Sequence, residues 1–94
     1  MKFLAIEKEI KKVDWGNEKE ILEEEARAVC KLYFEGYIRE IYFNENHNAV
    51  VILESENLTK ANELLSKLPL VKNKLITFEV MKLNPYTGWE RILK

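Results

Sequence analysis

The nine residues 75–83, LITFEVMKL, constrain this chain more than any other stretch. Their aromatic and β-branched content marks a strand. Successive side chains of a strand point to opposite faces. Leu75, Met81 and Leu83 therefore fall on one face, and Ile76, Phe78 and Val80 on the other. A strand that is apolar on both sides must be covered on both sides. The upstream chain has to supply one cover, and the sequence poses the question of what supplies the other.

Residues 55–57 (Ser-Glu-Asn) offer caps for a helix carrying Leu58, Ala61, Leu64, Leu65 and Leu68 on one face. Pro69 is expected to stop that helix, and Lys72-Asn73-Lys74 to cross to the strand. A second helix is read from Glu18 to about Phe34, with Asn17 as its cap and glutamates in its first turn. Its stripe is Leu22, Ala26, Val29, Cys30, Tyr33 and Tyr37, and Gly36 sits where a left-handed terminating residue belongs. The acidic run 23–25 reads as a solvated helical face, because consecutive helical residues diverge. Residues 37–44 and 49–54, joined by Glu45-Asn46-His47-Asn48, form a β-hairpin. Residues 2–9 read as a first strand, followed by a loop at 13–17. Past residue 83, Asn84-Pro85-Tyr86-Thr87-Gly88 turns into a tail carrying Trp89, Ile92 and Leu93, spaced for one helical turn.

The order is β α β β α β. Right-handed crossovers put both helices on one face of the sheet. The expectation is an α+β, ferredoxin-like fold: a four-stranded antiparallel sheet with two helices on one face. Residues 1–94 make a single domain, with 84–94 as a C-terminal tail. Whichever strand phase meets the helices, the other still places aliphatic residues in the middle of the sheet. Leu4 and Ile6 alternate with Phe3 and Ala5, and Val50 and Ile52 with Val51 and Leu53. A bare face of roughly 400 Å² is a sizeable patch for a monomer. Burying it in a homodimer offsets the cost of association. The expected partner is thus a second copy, docked through the helix-free face.

Composition closes off other classes. A formal net charge of −1 gives no basic footprint for nucleic acid. A single cysteine and a single histidine provide no intrachain disulfide and no metal-ligand spacing. No apolar run approaches the ~18 residues of a membrane span, and the N-terminal MKFLAIEKEI turns charged after six residues, unlike a signal peptide. A soluble, cytoplasmic protein without metal or cofactor is expected.

The run KLYFEGYIREIYFNENHNAVVILES, with ELLSKLPLVKNKLITFEVMKLNPYTGWERIL, resembles the muconolactone isomerase-like proteins of the dimeric α+β barrel superfamily. The residues that carry the resemblance are Gly36 with Ile38-Arg39-Glu40, then Leu68-Pro69-Leu70-Val71, Phe78-Glu79-Val80, and the stretch from Pro85-Tyr86 to Trp89. The resemblance implies a small cytoplasmic dimer acting on, or binding, a small organic acid or lactone without metal or cofactor. It assigns no catalytic residue.

Lactone isomerisation moves a proton α to a carbonyl, which needs a base and donors for the developing oxyanion. Glu54 and Glu79 lie in otherwise apolar strands, where burial would raise a carboxylate pKa; near a strand end, or paired with Arg39 or a lysine, either is structural. Arg39 could clamp a carboxylate or make a structural ion pair. Tyr33 and Tyr42 could donate to an oxyanion or pack in the core. Trp89 is a candidate for the seam between subunits or the mouth of a pocket. His47, in the hairpin turn, reads as a surface residue, and Cys30 as a small buried hydrophobe. Two functions remain open: a cofactor-independent isomerase, and a non-catalytic ligand-binding or assembly dimer. They part on whether Arg39, Glu79 and a tyrosine enter one cavity.

Overall fold

A computed structural model describes residues 1–93; Lys94, the last residue of the expected tail, lies outside them. Four strands, β1 (Lys2–Glu9), β2 (Ile38–Phe43), β3 (Ala49–Glu54) and β4 (Ile76–Leu83), form one antiparallel sheet in the order β2-β3-β1-β4. The expected ferredoxin-like topology is observed, with the first and third strands in the centre.

Register settles which side chains share a face. Phe3 pairs with Leu53, Ala5 with Val51 and with Val80, and these residues turn toward the helices. With Ile38, Ala61, Leu65 and Leu68 they form the main buried cluster. Leu4 pairs with Ile52 and Met81, and Ile6 with Val50, on the helix-free face. A register shift between Ile38 and Glu40 turns the edge strand, so that Ile41 and Phe43 follow Val51 and Ala49 on the helix side.

The helices differ in how they meet the sheet. α2 (Leu58–Ser66) is capped by the Asn57 side chain, which accepts the Lys60 N–H at 2.8 Å, and it buries Ala61, Leu64 and Leu65. Pro69 does more than stop the chain: it opens a further short helix, α3 (Pro69–Lys72). Proline suits a first helical position because its missing N–H would be unpaired there anyway. Lys74 then takes a left-handed conformation, φ 58°, before β4.

α1 (Lys19–Phe34) is preceded by a 3₁₀ turn at Trp15–Asn17 whose Asp14 side chain accepts the Gly16 N–H. The helix begins after Glu18 rather than at Asn17. Its end matches expectation: Gly36 adopts φ 88°, Tyr37 N–H bonds Leu32 C=O and Gly36 N–H bonds Tyr33 C=O. That paired arrangement needs a residue free of Cβ strain. Yet α1 buries none of its residues fully, and it rests chiefly on α3 and the start of β2. Ala28, Val29 and Leu32, all half-buried, pack against the main cluster, and Ile21 and Leu22 against a second one formed by Leu70, Leu75 and Ile76. Beyond β4, the tail makes a short 3₁₀ turn at Gly88–Arg91.

Candidate functional site

Between α1 and the helix side of the sheet lies a cavity of about 1150 Å³. Leu22, Ala26, Val29 and Cys30 of α1 form its roof, and Val51, Ile76 and Phe78 are part of its floor. Of the stripe expected to pack on the core, Leu22 and Val29 do rest against buried clusters, whereas Ala26, Cys30 and Tyr33 are exposed along the cleft. Cys30, expected to be buried, is exposed along this wall. The mouth lies between the end of α1 and the edge strand, where Phe34 and Phe43 are 81% and 74% exposed. Apolar concavities with few polar groups are the usual form of small-molecule sites.

Two carboxylates enter this apolar space. Glu7 sits in phase with Phe3 and Ala5 on β1 and is only 7% exposed. Its Oε1 accepts the Ala49 N–H at 2.9 Å, a donor at the start of β3 where the β1 ladder has ended. Glu25 projects from α1, one turn from Leu22 and Val29, and its Oε1 accepts the Leu70 N–H at 3.0 Å. That N–H belongs to the first turn of α3, whose own cap residue, Leu68, supplies no side-chain acceptor. Burial pushes the Glu7 carboxyl above the ordinary carboxylate range; the Ala49 N–H opposes this and the Glu9 charge adds to it. Burial likewise raises Glu25, against the Leu70 hydrogen bond, and the Glu7 charge pushes it further. Glu25 therefore corrects the reading of residues 23–25 as a uniformly solvated face: Glu23 and Glu24 are exposed, and Glu25 turns inward.

The residues singled out from sequence do not converge. Arg39 is exposed and is not among the groups lining the cleft. Glu79 is exposed on the helix-free face, where it pairs with Lys8 Nζ at 2.6 Å. That hydrogen bond and charge lower its carboxyl pKa, the reverse of the burial-raised base expected. Glu54 lies half-buried at the other end of the sheet, 3.8 Å from the N-terminal ammonium. The separation is a charge contact only, and one Glu54 oxygen is left buried without a hydrogen bond. Tyr42 donates its hydroxyl to Glu40 Oε1 at 2.8 Å, which holds its own proton more firmly. It reaches the rim of the cleft from the edge strand, although its pairing with Val50 assigns its side chain to the helix-free face. Tyr33 does line the cleft, half-exposed, with its ring against the edge of Phe34. Trp89 is exposed in the tail and packs edge-to-face on Tyr86, ring centroids 4.8 Å apart. His47 holds a left-handed backbone, φ 61°, in the hairpin turn and borders the mouth of the cleft.

Sequence reasoning missed Glu7 and Glu25. The signal was present in their phase: Glu7 falls at i+2 and i+4 from two core residues, and Glu25 between Leu22 and Val29 at helical spacing. Among the described residues no group of histidine, cysteine and acidic side chains could hold a metal ion. None of the described helices is long and apolar enough to cross a membrane.

A ferredoxin-like α+β domain with an acid-bearing apolar cleft under its first helix is the class these features define. Its fold is that of muconolactone isomerase: the crystal structure of that enzyme superposes with a TM-score of 0.77, 18% identity, and 94% and 93% of the two chains covered. The 5-chloro-2-hydroxyhydroquinone dehydrochlorinase of Burkholderia phenoliruptrix, solved in complex with 2,5-dihydroxybenzoquinone, superposes with a TM-score of 0.63 and 16% identity, over 89% and 94% of the chains. No protein-family model and no curated protein matches the sequence.

Proposed function

We propose that this chain is a cofactor-independent isomerase of the muconolactone isomerase type, acting on a small organic acid or lactone in the cleft beneath α1. The observation that carries the reading is Glu7: a residue only 7% exposed, its carboxylate fixed by one backbone N–H, in a cleft lined mostly by apolar residues. A carboxylate raised by burial is matched to proton transfer near neutral pH. In the proposed step Glu7 takes a proton from the carbon α to the substrate carbonyl, and the electron pair moves into an enolate conjugated with the ring double bond. The resulting carboxyl returns the same proton at the far end of that system, so the double bond migrates and composition is unchanged. Tyr33 and His47, which border the cleft, carry donors for the oxyanion. The reading is supported by the two similar folds, which are those of muconolactone isomerase and of a 5-chloro-2-hydroxyhydroquinone dehydrochlorinase.

The working unit in this proposal is a cytoplasmic homodimer, paired through the helix-free face. That face has the composition of an interface: Leu4, Ile6, Val50, Ile52 and Met81 in the middle, with Lys2, Lys8, Glu40 and Glu79 around them. The test is hydrogen–deuterium exchange at the α-carbon of unsaturated lactones and cyclic enones, followed by NMR. Glu7→Gln keeps an acceptor for Ala49 N–H and should cut exchange by about 100-fold or more in a chain that still unfolds cooperatively. Exchange that survives the substitution would overturn Glu7 as the base. A wild-type protein that binds such probes without exchanging them would favour the non-catalytic binding dimer, consistent with both carboxylates also anchoring backbone N–H groups.

A further inference from the structure

The charge inventory of the cleft bears on what can enter it. The acidic groups on its walls are Glu7, Glu9 and Glu25, while among the described residues no lysine or arginine lines it. The nearest candidate clamp from sequence, Arg39, is exposed outside it. The cationic side chains whose partners are resolved sit elsewhere: Lys8 holds Glu79 on the opposite face of the sheet, and Lys67 holds Glu63 along α2. Two of the wall carboxylates already accept a backbone donor, Ala49 N–H for Glu7 and Leu70 N–H for Glu25. Trp15 Nε1–H, a third donor at the cleft, is spent on Glu9 Oε1 at 2.9 Å. The donors left for an incoming group include uncharged ones, such as the Tyr33 hydroxyl and the Asn46 amide.

We infer that this cleft selects uncharged ring carbonyl compounds, a neutral lactone or enone, and rejects the corresponding carboxylates. The inference rests on the proposed proton-transfer reading and narrows it from organic acids and lactones to the uncharged member of the pair. An anionic ligand would lose its hydration in an apolar cavity and meet wall charges of its own sign with no cation in compensation. An uncharged carbonyl loses little on transfer. Its oxygen accepts from the neutral donors, and its ring packs on the apolar residues of the cleft. Glu25 then has a role separate from that of Glu7: it supplies negative charge that discriminates without touching the reacting proton.

The experiment compares a cyclohexenone methyl ester with its own free acid, two probes that differ in charge at pH 7.5 and by one methyl group, whose contribution the Glu25→Gln comparison removes. Affinities are read by isothermal titration on the full chain. The ester should bind ~10-fold or more tightly than the acid. Glu25→Gln should narrow that gap by improving the acid and leaving the ester unchanged. Equal affinities, tighter binding of the acid, binding of neither, or a gap that Glu25→Gln leaves intact would each overturn the inference. Because the readout is affinity, it separates from the exchange assay: a protein that prefers the ester yet exchanges no proton would sink the catalytic reading and keep this one.

Discussion

Replacing Ile52 by lysine tests the reading of the helix-free face as an interface between two copies. Register places Ile52 beside Leu4, which in turn pairs with Met81, so the side chain lies mid-sheet in a row of aliphatic residues. In the isolated subunit Ile52 is only half-buried, and Met81 is 44% exposed. Completing the burial of one isoleucine contributes about 1–2 kcal/mol at ~25 cal/mol per Å². A two-fold interface loses this twice, about 2–4 kcal/mol, because each copy presents the same residue. Two ammonium groups held near the same apolar centre add at least another ~2 kcal/mol in lost hydration and mutual repulsion, even if their stems snorkel outward.

The sum, at least ~4 kcal/mol, raises the dissociation constant of the dimer about 1000-fold. Sedimentation velocity over a concentration series reads this directly against the 11.2 kDa subunit mass. The adjacent residue supplies the control. Val51 is 2% exposed and belongs to the core beneath the helices, so Val51→Lys should abolish cooperative unfolding rather than dissociate a folded pair. A wild-type chain that sediments as a folded monomer at micromolar concentration would refute the argument. So would an Ile52→Lys variant that dimerises as tightly as the parent.

The other consequences can be checked with few variants. Trp89, Ile92 and Leu93 are 59%, 78% and 75% exposed, so deleting residues 89–94 should lower dimer affinity while leaving the melting temperature of the subunit within a few degrees; an unchanged affinity would make the tail a local cap. Burial raises the Glu7 carboxyl, so the folded state holds that proton more tightly than the unfolded chain does. Its contribution to stability is therefore full below the ordinary carboxylate range and is lost as pH rises through the raised value. Melting temperatures from pH 4 to 8 should decline less steeply for Glu7→Gln than for wild type, and parallel curves would contradict the buried-charge account.

The topology was legible because it rests on periodicity and turn chemistry. The alternation in 75–83, the stripe in 58–68, Gly36 after the first helix and the polar turn 45–48 each specify local geometry, and together they leave one sensible sheet. The phase of the strands was not legible, since both faces are aliphatic and only three-dimensional packing distinguishes Ile52 from Val51. Pro69 was read as a stop because proline ends helices; here it occupies the first position of one. The site was missed for a related reason. Charged residues are assigned to solvent by default, and in Glu7 and Glu25 that default failed at two positions whose spacing to Phe3, Ala5, Leu22 and Val29 already pointed inward. Glu79 failed in the opposite sense: its apolar neighbours in sequence lie on the other face of the strand, and its own neighbour is Lys8.

Alternation along β1 makes the two faces of this sheet separate devices. Leu4 and Ile6 look out from the helix-free face, whereas Phe3, Ala5 and Glu7 look toward the helices and the cleft. On β3, Val50 and Ile52 take the first side and Val51 and Leu53 the second. Along β1 and β3 each of these side chains serves one face only, so a substitution on the helix-free face of these strands reaches the cleft only by displacing backbone, and a closely packed core resists such displacement. The one direct link is at Ala49, whose N–H holds Glu7 and which immediately precedes Val50. Ile52 lies three residues further along, close to the far end of the strand. A monomeric Ile52→Lys variant should accordingly keep the parent's affinity for an uncharged ring ketone within about threefold, measured by the same titration. A large loss of ligand binding on dissociation would show instead that the second copy completes the cleft, and that the two faces work as one.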